Sequence, residues 1–157
     1  MSDRLLQNVK FVNCVYPHAD MYETGPIYSD VINMQDYQHC TFIIQEGIGT
    51  TGTTTVTVNS CDNVTPDTAT AIAFRYKVIT SGDTEGDTTA ATTAGFGTTA
   101  GSYGVYVIEV DADELSGTDQ YVRITLTELV DEVVIGGVMA ILSGSRYAGD
   151  DLRTAIV

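Results

Sequence analysis

The stretch TTTVTVNS, Thr53 to Ser60, decides the fold class. Val56 and Val58 fall on one side of an extended chain and Thr55 and Thr57 on the other. That alternation belongs to an antiparallel strand with one buried and one wetted face. The pattern recurs in both directions. Upstream, Val9 to Tyr16 sets Val9, Phe11, Asn13 and Val15 against Lys10, Val12, Cys14 and Tyr16, Ile27 to Ile32 is a short candidate, and Cys40 to Glu46 turns Phe42 and Ile44 inward. Downstream, Ala69 to Ile79 puts Ile72, Phe74, Tyr76 and Val78 on one face and Arg75 and Lys77 on the other. Tyr103 to Val110 resumes the alternation, and Tyr121 to Leu129 carries Val122, Ile124 and Leu126 inward with Arg123, Thr125 and Thr127 outward. Val133 to Leu142 is apolar at both parities, which predicts a central strand covered on both sides.

Helical periodicity is sustained nowhere, and DADEL, from Asp111 to Leu115, reads as a single turn with carboxylates at its positive end. Residues 81 to 102, SGDTEGDTTAATTAGFGTTAGS, hold almost no large apolar side chain and predict a long Gly/Ala/Thr-rich loop, a length usually reserved for function or disorder. The expected fold is all-β: an antiparallel β-sandwich, jelly-roll-like, of about eight strands. One domain spans residues 1 to 157, with flexible arms at 1 to 8 and 145 to 157 and the loop at 81 to 102.

Composition narrows the function. Seven Lys and Arg against 21 Asp and Glu give a net charge of −14. Affinity for nucleic-acid phosphates or anionic lipid is built from cations, so neither is an expected partner. A 43% hydrophobic content excludes global disorder, and 23 threonines fit wetted strand faces. The longest apolar run, Val133 to Leu142, reaches half a membrane span, and MSDRLLQNVKF shows no secretion signal, so synthesis in a cytoplasm is expected. Cys14, Cys40 and Cys61 are odd in number and widely spaced, which predicts buried free thiols rather than a disulfide or zinc framework.

Motifs with chemistry are weak. His18 has Asp20 and Glu23 nearby and His39 has Asp36, but no spacing supplies a nucleophile or three convergent ligands. Asp83 to Asp87 lacks the distal bidentate Glu of a calcium loop, and Asp111, Asp113 and Glu114 are no better placed. Gly47 to Gly52 and Gly95 to Gly104 do not join a strand to a helix as a phosphate loop must. Asn63-Val64-Thr65 matches a glycosylation acceptor without a secretory route. The nine tyrosines sit mostly on strand positions such as Tyr16, Tyr76, Tyr106 and Tyr121 and read as packing groups. No enzyme, cofactor or metal is expected; a threonine-studded scaffold of this kind works through extended complementary surface.

The strings CTFIIQEGIGTTGTTTVTVNSCD (40–62), AIAFRYKVITSGDTEGD (71–87), TTAGSYGVYVIEVDADEL (98–115), YVRITLTEL (121–129) and ILSGSRYAG (141–149) resemble small virion-associated proteins of tailed bacteriophages and prophages, over about residues 5 to 150. In size and strand content the chain is most similar to capsid decoration, or cement, proteins. The resemblance implies a homotrimer on the outside of the head that staples neighbouring major capsid subunits and resides on the virion. Under that expectation the partner contacts come from the two arms and the scarce cations: Arg4, Lys10, Arg75, Lys77, Arg123, Arg146, Tyr147, Arg153 and Ile156. The competing expectations are a tail-tube or head-completion protein and a carbohydrate-binding head-fibre or adsorption module. Zero Trp counts against the last.

Overall fold

A computed structural model describes residues 5–22, 25–101, 103–146 and 152–156. The chain opens with a short helix, α1 (Leu5–Asn8), and continues through β1 (Lys10–His18), β2 (Pro26–Tyr28), β3 (Ile32–Asn33), β4 (His39–Glu46), β5 (Thr53–Cys61), β6 (Ala69–Ile72) and β7 (Phe74–Ser81). Then come β8 (Thr84–Glu85), β9 (Thr89–Ala91), β10 (Phe96–Gly97), β11 (Val105–Asp111), a 3-10 turn (Ala112–Glu114), β12 (Tyr121–Val130) and β13 (Gly136–Ser143). Every strand pairing is antiparallel.

Two sheets form a sandwich. The large one runs β1-β13-β4-β11-β7-β8 and the small one β10-β5-β12-β2, with β6 on β5 and β3 on β12. Chain order interleaves them: β1, β4, β11 and β13 build one layer while β2, β5, β6 and β12 build the other, the double Greek key of a jelly roll. Alternation fills the space between. Phe42 and Ile44 of β4, Ile108 of β11, and Ala140 and Leu142 of β13 face Val56 and Val58 of β5 and Val122 and Ile124 of β12, all of them fully buried. Each such aliphatic or aromatic side chain contributes about 1.5–3 kcal/mol by leaving water. Cys14, Cys40 and Cys61 are buried free thiols, and burial pushes the Cys14 thiol up to about 12.

Several expectations are corrected. The single strand expected over Ala69 to Ile79 breaks at Ala73, so that β6 joins the small sheet and β7 the large one; the chain turns the corner of the sandwich while Ile72 and Phe74 stay inside. Ile27 to Ile32 likewise divides into β2 and β3. A bulge in β1 buries both Cys14 and Val15, which uniform alternation would separate.

Residues 81 to 102 are not one open loop. β8 and β9 pair with β7 while β10 pairs with β5, so the segment crosses from one sheet to the other. Phe96 locks it down: its ring stacks on Tyr76 at 4.0 Å and lies 6.1 Å from Phe74 and 5.6 Å from Tyr106. One aromatic residue anchors a stretch otherwise made of small ones.

The carboxy-terminal segment is no free arm over its described part. Ala155 is buried, its carbonyl accepts a hydrogen bond from the Asn33 amide at 2.7 Å, and the Tyr37 hydroxyl donates to the Arg153 carbonyl. At the other end, α1 buries none of its side chains. Finally, β13 is covered once rather than twice. Gly136, Val138, Ala140 and Leu142 point inward, whereas Met139 is 44% exposed and Ile141 half-buried on the opposite side.

Candidate functional site

That uncovered side of β13 belongs to a continuous surface. Cα partners in a ladder share a face, so the pairings give rows across the large sheet. One row reads Asn13, Met139, Ile43, Val107 and Lys77; the next toward the β1 start reads Phe11, Ile141, Thr41, Glu109 and Arg75. The third holds Gly137, Gln45, Val105 and Ile79. Phe11, Ile141, Met139, Ile43, Val107 and Val105 thus form an aliphatic and aromatic field, with Phe11 42% exposed. Its charged groups stand along the β11 and β7 side. The outer face of the small sheet is different: Thr53, Thr55, Thr57 and Asn59 of β5 lie beside Arg123, Thr125 and Thr127 of β12. There the Thr125 hydroxyl donates to Asn59 Oδ1 at 2.7 Å, and the Arg123 guanidinium sits 4.2 Å above the Tyr28 ring.

At the far end of β1 the apolar face deepens into a groove of about 480 Å³. Gly137 is its floor; a Cβ there would come within 3.0 Å of the Val15 carbonyl oxygen and against Pro17. Pro17, Ile43, Met139, Ile135 and Tyr103 wall it. Tyr103 is held in the left-handed region at φ 65, with its amide donating to the Gly47 carbonyl at 2.7 Å. A non-glycine residue in that conformation stores about 1–3 kcal/mol of strain, which the neighbouring strand ends sustain.

Beneath the groove lies a polar cluster that alternation along β4 carries inside. Glu46 follows Phe42 and Ile44 at the same parity and is only 4% exposed. The Tyr22 hydroxyl donates to its Oε1, and Tyr106, whose hydroxyl accepts from the Thr99 amide at 2.9 Å, packs close by. Burial raises the Glu46 carboxyl above the ordinary glutamate value, although the Tyr22 hydrogen bond partly offsets it; burial and the adjoining carboxylate raise the Tyr22 phenol. Sequence reasoning missed Glu46, yet its parity with Phe42 and Ile44 was the available signal.

A second, polar hollow of about 360 Å³ lies at the opposite end, lined by Gln38, His39, Asp111, Ala112, Asp113 and Arg146. His39 Nδ1 is 2.5 Å from Asp111 Oδ1, and the Arg75 guanidinium reaches Asp111 Oδ2 and Glu114 Oε1 at 3.4 Å each. Asp111 is therefore shared between the His39 imidazole and the Arg75 guanidinium at the rim. Ser143 stands opposite His39 in the ladder, but among the described residues no hydrogen bond joins them, and a Ser-His-Asp unit requires one. Among the described residues no three His, Cys, Asp or Glu side chains converge as metal ligands.

The residues expected to meet a partner are thus dispersed. Arg75 pairs with Asp111 and Glu114, Lys77 Nζ with Glu85 at 3.1 Å, and Arg153 with Asp36 at 3.7 Å. Arg123 covers Tyr28 on the small sheet, Lys10 is half-buried opposite Leu142, Arg146 lines the polar hollow, and Ile156 is 42% exposed. Arg4 and Tyr147 lie outside the described residues. Of the seven that are described, Arg75 and Lys77 stand on the apolar outer face. Comparison with family models, curated proteins and solved structures finds no match.

Proposed function

We propose that the chain is a structural protein of a bacteriophage virion, a capsid decoration protein that binds the outside of the head and staples major capsid subunits. The observation that carries this reading is the outer face of the large sheet. Contiguous apolar surface on an otherwise highly charged protein marks a place of contact with another macromolecule. Field and groove together are shaped for broad adhesion, since the apolar side chains extend over β1, β13, β4 and β11 and the charged groups of the face gather at its β11 and β7 side. A sandwich with nearly every apolar side chain of its inner faces buried supplies the rigidity such a clamp needs. The charge of −14 keeps unbound copies apart until they meet the shell.

The test is co-sedimentation of the purified chain with heads stripped of it. Ile43→Asp combined with Met139→Asp, both on the outer side, is expected to weaken attachment at least 100-fold. Thr55→Asp with Thr57→Asp, on the opposite side of the sandwich, is expected to stay within about threefold of the parent. Equal loss from both pairs, or none from the first, rejects the proposal.

A further inference from the structure

The segments that follow β1, β4, β10 and β12 meet at one end of the sandwich, and a buried carboxyl lies among them. The Met21 amide donates to the Val134 carbonyl at 2.6 Å and the Gly47 amide to the Ile135 carbonyl at 2.5 Å. Glu46, the last residue of β4, stands opposite Gly136 of β13. The strap that leads from β10 into β11 is pinned across it. The Glu46 amide donates to the Gly104 carbonyl at 2.8 Å, the Tyr103 amide to the Gly47 carbonyl at 2.7 Å and the Thr98 amide to the Thr54 carbonyl at 2.9 Å, while Thr98 Oγ1 accepts from the Thr54 amide at 3.0 Å. A Cβ on Gly104 would stand 2.5 Å from Glu46 Oε2, so only a glycine backbone can close over that oxygen.

The surroundings fit a neutral carboxyl better than a charged one. Two titratable groups face Glu46: Tyr22, on the turn after β1, donates to Oε1, and Tyr106 of β11 approaches from the other side with its hydroxyl accepting from the Thr99 amide. Asp20, on the Tyr22 turn, is taken up by the Tyr22 and Val134 amides at 3.1 and 3.4 Å. The strap contributes threonines, β13 contributes Gly136, and among the described residues no cation pairs with Glu46. A buried carboxylate without a cation is costly, and water is the remedy nearest to hand. We infer that Glu46 is a proton-operated latch: neutral, it lets the strap from Thr98 to Gly104 lie closed over this end of the sandwich, and ionised, it loosens the strap to reach water. Burial raises the folded carboxyl above its unfolded value, so the latch is closed at acid pH and loosens as pH rises through the raised value. The closed strap also holds Tyr103 at φ 65, a conformation that release would relax. The groove walled by Tyr103 changes shape with the same proton.

Hydrogen exchange followed by NMR reads the latch on the purified chain alone, so its result is separable from that of head binding. Protection factors, which remove the intrinsic pH dependence of exchange, are compared between pH 4 and pH 7 at the Glu46, Thr98, Thr99 and Tyr103 amides. The Ile124 amide, bonded to Ser29 Oγ, and the Met34 amide, bonded to the Gln120 carbonyl, serve as references away from the strap. In the parent the strap amides are expected to lose at least tenfold protection over that span and to end at least tenfold less protected than the references, the mark of a local opening. Glu46→Gln cannot ionise and is expected to hold the same amides within threefold. Tyr22→Phe removes the donor to the carboxylate and is expected to deepen the loss. A flat profile in the parent, the same loss in Glu46→Gln, a shallower loss in Tyr22→Phe, or strap amides as well protected as the references at pH 7 overturns the inference.

Discussion

The two outer faces of this sandwich have the same backbone and differ in chemistry, one rich in threonine and the other in aliphatic and aromatic side chains. On the small sheet, β5 and β12 carry Thr53, Thr55, Thr57, Thr125 and Thr127, side chains that suit a pleated strand, with the buried Thr125 hydroxyl donating to Asn59 and with Tyr28 and Val130 the exposed apolar groups among them. On the large sheet, β1, β13 and β4 present Phe11, Met139, Ile141 and Ile43 in the equivalent outward positions. Both inner faces are mostly apolar, with Glu46, Thr54 and Ser60 as buried exceptions, so the difference outside owes little to the core. A strand that needs only to fold can end in threonine on its wet side; one that is apolar on both sides is shaped for something beyond its own chain.

The largest effect expected is one that ignores the distinction. Phe42→Ala on the large sheet and Ile124→Ala on the small one each remove a fully buried side chain, and each is expected to cost about 2–5 kcal/mol. At about 2–4 °C per kcal/mol for a domain of this size, both lower the melting temperature by many degrees. If one were silent, the two sheets would not share a single core.

The second effect probes the faces themselves. Thr55→Ile with Thr57→Ile makes the small-sheet face apolar as well, at little cost to the fold because both residue types favour strands. Light scattering at about 100 μM is expected to report new self-association in that variant, as a second uncovered apolar face would give. Unchanged scattering would mean that outward apolar side chains do not govern adhesion here.

The smallest effect lies where the two sheets meet. Because burial raises the Glu46 carboxyl, the folded chain holds that proton more tightly than the unfolded chain does. Stability linked to Glu46 is then greatest at or below the unfolded value of about 4.3 and declines as pH rises through the raised folded value. Glu46→Gln keeps an acceptor for Tyr22 and removes the titration. Its melting temperature relative to the parent is expected to rise between pH 4 and pH 7, whereas a constant difference would show that the carboxyl is not strained by burial.

Much of this was legible along single strands. Val56, Val58, Val122 and Ile124 are all fully buried where alternation put them, and the all-β sandwich class follows from the recurrence of such strands. What alternation cannot supply is which strand lies beside which. Ile43, Val107 and Met139 look like isolated outward residues in sequence and become a surface only when register sets them in one row. The doubly apolar β13 carries the clue, although apolar residues at both parities equally predict a strand covered on both sides. The break at Ala73 and the docking of Phe96 depended on long-range packing that no local pattern encodes. The scarce cations drew notice because of the composition, yet Arg75, Lys77 and Arg153 answer to acids of their own chain.

The most direct measurement is an image reconstruction of a head carrying this protein, at a resolution that separates the two sheets. The account predicts that β1, β13 and β4 lie against the shell with Phe11, Ile43 and Met139 toward it, and that the threonine face of β5 and β12 points to solvent. Density in which β5 and β12 meet the shell while the large sheet faces outward would contradict it.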